Sequence, residues 1–341
     1  MPRYISHEDL TFPQRRPISK RPIILTIIFC LLLLLIISLS TLHPSSPLPS
    51  LSSLTPYSLH PKPLIPRHIL QLSPSPPSSN ATLDLPSLTW PARNPYHSYT
   101  RLDANSSLPY IKDRYAHRPD LVATYEAVDN PDLAETMTRY LALAADGGVY
   151  AATGTECLVS IDLWTQWNGS ASASSASSAE PTDPPRDPGK VGMVVGVGYD
   201  QRDAEREEGR GLPVEFATWT VGSRRGHPVM ERVRDGIMGR VREGLDRAGG
   251  EDRRKEGKGL GEEEVREVVG SKIFTEAVKE GIEKMLAREV DWKEFSMLEG
   301  PKMFGDVLVL PIDAFTSGVA HSRARSEGNE MQLVRHEDKD Q

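Results

Sequence analysis

The chain has 341 residues, 38% of them hydrophobic, enough for one catalytic-sized core with appendages or for two small cores. A formal net charge of -7, with no basic stripe interleaved with aromatics, excludes a broad nucleic-acid-binding face. Of its two cysteines, Cys30 falls inside a long apolar run, so Cys157 has no intrachain disulfide partner and stability must come from packing.

Residues 1–21 read as a short basic tail, and residues 23–42 follow as twenty positions without a charge. At about 1.5 Å per residue such a run spans a hydrocarbon core of roughly 30 Å. Arg15, Arg16, Lys20 and Arg21 precede it and no basic cluster follows. The charge bias predicts a transmembrane anchor over 22–42, a cytosolic N-terminus and a luminal remainder. A cleaved signal peptide is the rival reading. Against it, the apolar run is longer than a usual signal core, and Ser40-Thr41-Leu42-His43 is a poor cleavage site. Sequons at Asn80, Asn105 and Asn168 suit a luminal chain.

A Pro/Ser-rich stem over 43–63 holds the rest away from the membrane. Residues 64–71, bounded by prolines, predict a buried first strand, and residues 116–122 a loop entering a helix. Pro131-Asp132 opens a helix that runs to about Ala145 and stops at Gly147-Gly148. Strands are predicted at 191–197 and 307–310, with amphipathic helices at 229–247 and 274–286 between them. This alternation predicts an α/β sandwich with a mostly parallel sheet over 64–336, followed by a tail at 337–341. The biased segments 170–190 and 249–264 have too little apolar surface to order themselves.

The most informative stretch runs from Arg139-Tyr140-Leu141 through Gly147-Gly148-Val149-Tyr150 to Ala151-Ala152-Thr153-Gly154-Thr155-Glu156. It resembles the donor-site core of glycosyltransferase family 32, roughly R-Y-(apolar)-G-G-x-Y-A-D-x-D-T-x-x-L. Further matches are Trp219-Thr220, Gly226-His227-Pro228, Gly305-Asp306-Val307 and Gly318-Val319-Ala320-His321, so the resemblance spans about residues 65–336. Among family members the chain is most similar to fungal initiation-specific α-1,6-mannosyltransferases. The resemblance implies a GT-A type, Rossmann-like domain behind one N-terminal transmembrane helix. It also implies a Golgi location, GDP-mannose as donor, an N-glycan acceptor, Mn²⁺ as cofactor and a place in a Golgi glycosyltransferase complex.

The two aspartates of the family's D-x-D turn converge on one octahedral ion that also takes the diphosphate oxygens. Here those positions are Ala152 and Gly154, which carry no ligand atom. Glu156 and His336 are the candidate replacement ligands, and His321 is a third polar group near the C-terminal edge. Other polar family positions also depart, becoming Thr136, Gly198 and Thr218. The resemblance assigns Arg139, Tyr140, Gly147, Gly148 and Tyr150 to the donor. Each also has a plainer reading: a paired helix arginine, a helix C-cap for the glycines, and strand packing for Tyr150. An active mannosyltransferase and a catalytically inactive binding or assembly subunit both remain open. No G-x-S-x-G or G-x-x-x-x-G-K-[ST] occurs, and the glycines of residues 192–198 lack dinucleotide-loop spacing.

Overall fold

The computed structural model describes residues 62–73, 84–165, 187–201, 211–247, 260–319, 322–326 and 328–336. The predicted anchor, all but the last two residues of the stem, the sequons at Asn80 and Asn168, and His321 lie outside them. Among the described residues no helix is long and apolar enough to cross a membrane. Asn105 is exposed in the first turn of a helix.

Among the described residues ten strands form two sheets. The large sheet contains β1 (His68–Leu72), β2 (Ser98–Leu102), β3 (Gly148–Ala151), β5 (Met193–Asp200), β6 (Val214–Phe216), β7 (Thr220–Ser223), β8 (Lys302–Phe304) and β9 (Val307–Leu310). Its order is β2-β1-β3-β7-β5-β9-β8, with β6 added on β5. Strands β1, β2, β3, β5 and β9 run one way, while β6, β7 and β8 run the other. The parallel majority expected from the sequence is present, with β7 reversed in the middle of the sheet. A small ribbon pairs β4 (Thr155–Cys157) with β10 (Val334–His336).

Period-2 alternation sends side chains to two cores. Leu70, Leu72, Tyr150, Met193, Val195, Val307 and Val309 face one layer; Ile69, Val149, Ala151, Val194, Leu308 and Leu310 face the other. The first layer is covered by helices α2 (Ala104–Arg114), α3 (Pro119–Glu126), α4 (Pro131–Ala145), α6 (Pro228–Arg247), α7 (Glu262–Val269) and α8 (Ser271–Leu286). The second is covered by α1 (Leu85–Arg93), α5 (Ile161–Trp164) and α9 (Ile312–Thr316), through Trp90, Trp164 and Phe315. Both faces of the sheet being covered explains why β5 is buried along its whole length.

Helix α4 starts where the sequence predicts: the Asn130 side chain accepts from Leu133 N–H at 3.0 Å, and Pro131 occupies the first turn. The expectation that 249–264 stays unordered is corrected at its end. Leu260 packs against the core, Gly261 N–H donates to Glu264 Oε2 at 3.2 Å, and α7 begins at Glu262. The end of 170–190 is likewise ordered, as the turn Pro188–Lys190 capped by Asp187.

Candidate functional site

The C-terminal ends of β1, β2 and β3 meet the start of α4 at one edge of the sheet. In open α/β sheets this edge is where ligands bind. A cavity of about 290 Å³ opens there, lined by Leu72, Asp103, Asp129, Asn130, Glu135 and Thr138 among others.

Behind it lies Arg139. Its guanidinium carbon sits 4.5 Å from the Tyr150 ring centroid and 5.6 Å from that of Tyr140. One Nη donates to the Thr218 carbonyl at 3.2 Å, and the other is 3.8 Å from Glu135. Tyr150 O–H donates to the same Glu135 carboxylate at 3.2 Å. The structure therefore brings together Arg139, Tyr140 and Tyr150, and adds Glu135 and the Thr218 carbonyl. Arg139 is only 8% exposed and Tyr150 is fully buried. Burial pushes both the Tyr140 and Tyr150 phenols up. As placed, Tyr150 cannot stack on a base: it packs, more deeply than the half-buried strand reading. Tyr140 likewise belongs to the core, stacked on Phe274 at 5.4 Å.

Gly147 and Gly148 fall at the other end of β3, away from this edge. Their φ values are +70° and +106°. A Cβ at Gly147 would lie 2.5 Å from Arg225 N, and one at Gly148 would lie 2.4 Å from His68 O. Their need for glycine comes from close packing against β1 and the end of β7. The pair therefore lies away from the cavity and serves this packing.

The turn that corresponds to D-x-D joins β3 to β4. It is fastened on both sides: Ala152 N–H donates to the Trp219 carbonyl at 2.8 Å, and Trp90 Nε1–H donates to the Thr155 carbonyl at 2.9 Å. Gly154 has φ +81°. Its N–H donates to Asp84 Oδ2 at 3.3 Å, the carboxylate that also caps α1 through Ser87.

Glu156 and His336 are close in the ribbon but do not converge. The register pairs Arg335 with Glu156 and His336 with Thr155, so alternation puts Glu156 and His336 on opposite faces. Glu156 is ion-paired to Arg335. The His336 ring packs on Trp219, 4.9 Å between centroids. Among the described residues no group of three or more His, Cys, Asp or Glu could hold a metal ion.

Three buried polar atoms near this edge have no hydrogen-bond partner: Gln71 Nε2 at the end of β1, Thr220 Oγ1 at the start of β7, and Arg139 Nε. Gln71 Oε1 accepts from Tyr99 O–H at 2.6 Å, which orients the amide nitrogen. Buried unpaired donors are rare and mark a place where a ligand or water completes the set. Glu135, Asp84 and Asp129 were missed by sequence reasoning. Glu135 had a usable signal, standing one helical turn before Arg139.

No protein-family profile matches the chain. The initiation-specific α-1,6-mannosyltransferase of Candida albicans is 28% identical over 268 residues, covering 73% of this chain and 63% of that protein. The protein of the same description from Schizosaccharomyces pombe is 27% identical over 252 residues, covering 72% and 56%. The putative glycosyltransferase HOC1 of Saccharomyces cerevisiae is 25% identical, covering 66% and 52%. The chain thus spans less than two thirds of the length of each of these relatives. Among solved structures, the PaToxG glycosyltransferase has a TM-score of 0.40 at 14% identity, over 65% of this chain and 72% of that one. By sequence, over most of its length, the chain resembles the family 32 glycosyltransferases, with fungal initiation-specific α-1,6-mannosyltransferases among its relatives.

Proposed function

We propose that the chain is a mannosyltransferase-type protein with a GT-A type fold that binds GDP-mannose at the C-terminal edge of β1, β2 and β3. It stands on a single N-terminal anchor in the Golgi membrane with its folded domain in the lumen, where its acceptor is an N-glycan. The carrying observation is the 290 Å³ cavity at that edge, which Glu135 lines beside the buried Arg139, whose Nε lacks a partner. The guanine edge offers two adjacent donors, N1–H and N2–H, which one carboxylate accepts together. Uracil offers a single N–H flanked by carbonyls that a carboxylate repels. Asp129, exposed on the cavity rim, supplies such a carboxylate. Direct titration tests this: GDP and GDP-mannose should bind and UDP should not. Asp129→Asn should cut GDP affinity about tenfold, the worth of one good bidentate base contact.

A second reading, a catalytically inactive binding or assembly subunit, is favoured by the turn itself. Ala152 and Gly154 supply no oxygen ligand from a side chain, Asp84 is committed to Gly154 N–H and the α1 cap, and Glu156 is held by Arg335. These residues do not fit a Mn²⁺ site, so no catalytic step is routed through a metal here. Transfer assays on the full chain distinguish the two readings: GDP-mannose binding without turnover identifies the subunit. The topology has its own check, since protease treatment of sealed vesicles should spare a C-terminal tag.

A further inference from the structure

Of the three sequons, Asn105-Ser106-Ser107 falls among the described residues, and it forms the first turn of α2. We infer that Asn105 is an N-glycosylation site that accepts its oligosaccharide before α2 forms and is closed to modification once the helix is in place. That the chain meets a luminal transferase rests on the anchor reading above; the geometry that opens and closes the site does not.

The helix cap accounts for Asp103 and Ser106. Asp103 Oδ1 accepts from Asn105 N–H at 3.0 Å and from Ser106 N–H at 2.8 Å, and Ser106 Oγ accepts from Asp103 N–H at 2.8 Å. Ser107 Oγ donates back to the Asp103 carbonyl at 2.7 Å, and Ser107 is only 7% exposed. From Asn105 the cap takes the backbone N–H alone and leaves the side chain exposed.

A sequon is defined by an asparagine and a hydroxyl two residues later, so an enzyme that modifies it must reach both side chains together. In extended chain, residues two apart share a face, and Asn105 and Ser107 can be presented to one active site. In a helix the same two residues point about 200° apart. Here that turns Asn105 to solvent and Ser107 inward, with its hydroxyl already bonded. Helix formation therefore takes the hydroxyl away and leaves the asparagine behind. The co-reactant is an oligosaccharide linked to a lipid diphosphate. The Asn105 carboxamide nitrogen bonds to C1 of its first sugar and releases a proton to solvent, while the bond from C1 to the diphosphate oxygen breaks and the lipid diphosphate leaves with the electron pair.

The helix also sets where the glycan stands. Ala104, Ser107 and Leu108 line the donor cavity, whereas Asn105, Pro109 and Lys112 form the exposed face. The glycan flanks the cavity rim without entering it, and it covers the solvent face of α2.

The test expresses the full chain in eukaryotic secretory cells, with a C-terminal tag that carries a sequon of its own. Release by peptide N-glycosidase converts a glycosylated asparagine to aspartate, which peptide mass spectrometry reads at Asn105 and at the tag. Both should be converted; Ser107→Ala should abolish conversion at Asn105 alone, and Ser107→Thr should keep it. The full chain made without glycans in bacteria is then offered, in detergent, to purified oligosaccharyltransferase and the lipid-linked oligosaccharide. Native chain should be modified at Asn105 at least about tenfold more slowly than urea-unfolded chain diluted into the same assay, because it must first open locally. Conversion at the tag but not at Asn105 would overturn the inference and leave the luminal reading standing; conversion at neither would refute both. Equal rates for native and unfolded chain would overturn the order of events proposed here.

Discussion

Arg139 carries a charge in a place where water cannot reach it, and the two tyrosine rings and Glu135 stand in for its hydration. Replacing it by methionine keeps much of the volume but leaves Glu135 without its cation. That change should cost about 3 kcal/mol in urea unfolding, the usual penalty for breaking a buried pair. It should also weaken GDP binding, because Glu135 lines the donor cavity. Cys157 gives a second test at this scale. Burial pushes its thiol from an ordinary 9.0 up to about 11. Below pH 9 the thiol is protonated in both states and costs nothing. Between pH 9 and 11 the unfolded chain loses the proton first, so stability falls by about 2–3 kcal/mol. Cys157→Ala should flatten that part of the stability profile, and iodoacetamide at pH 8 should leave native Cys157 unmodified. The Arg139 cluster was partly legible in the sequence, because an arginine three to four residues from an acid on one helix face calls for a pair. Its burial was not, since it depends on β3 and the chain before β7 closing over α4.

Among the elements, α1 and the turn between β3 and β4 stabilise each other through Asp84. Asp84→Ala removes both the helix cap and the acceptor for Gly154 N–H, and should cost about 1 kcal/mol by thermal or urea unfolding. The family's acidic position at Gly198 shows how far the local backbone has adapted to its present residue. A β-bulge falls between Val197 and Tyr199, and a Cβ at Gly198 would lie 2.9 Å from Ala217 N. Gly198→Glu should therefore lower stability by about 1–3 kcal/mol, and no gain of activity should accompany it. Restoring the turn is less costly at one position than the other. Ala152 has ordinary backbone geometry, whereas Gly154→Asp must place an aspartate at φ +81°, which aspartate tolerates better than most residues. Strands β5 and β9 and helices α4, α6 and α8 were readable from apolar periodicity because they cross the core. The β4–β10 ribbon was not. Its strands have three residues each and pair Glu156 with Arg335 across the whole domain, so no local pattern announces them.

At the scale of the whole molecule, one covered sheet presents two cavities on a single edge, the one of about 290 Å³ and one of about 490 Å³ where β5 ends and α9 follows β9. The turn positions matching the family's D-x-D aspartates hold a methyl group and a hydrogen. The packing positions of the family resemblance serve the core: Phe274, Val307 and Leu310 are fully buried. Those where the family resemblance implies polar or acidic groups hold Thr136, Ala152, Gly154, Gly198 and Thr218. The sequence made this division visible. What required the fold was where the remaining polar groups go, namely Asp84 to a cap, Glu156 to Arg335, and His336 onto Trp219.

The most direct measurement is GDP-mannose affinity of the full chain with Mn²⁺ and with EDTA. A donor site held by Arg139, Glu135 and Asp129, without carboxylates in the turn, should give the same affinity in both and no saturable Mn²⁺ binding. Saturable Mn²⁺ binding together with donor affinity at least tenfold higher in its presence would contradict it, and would make Asp84 and Glu156 the first candidates for rearranged ligands.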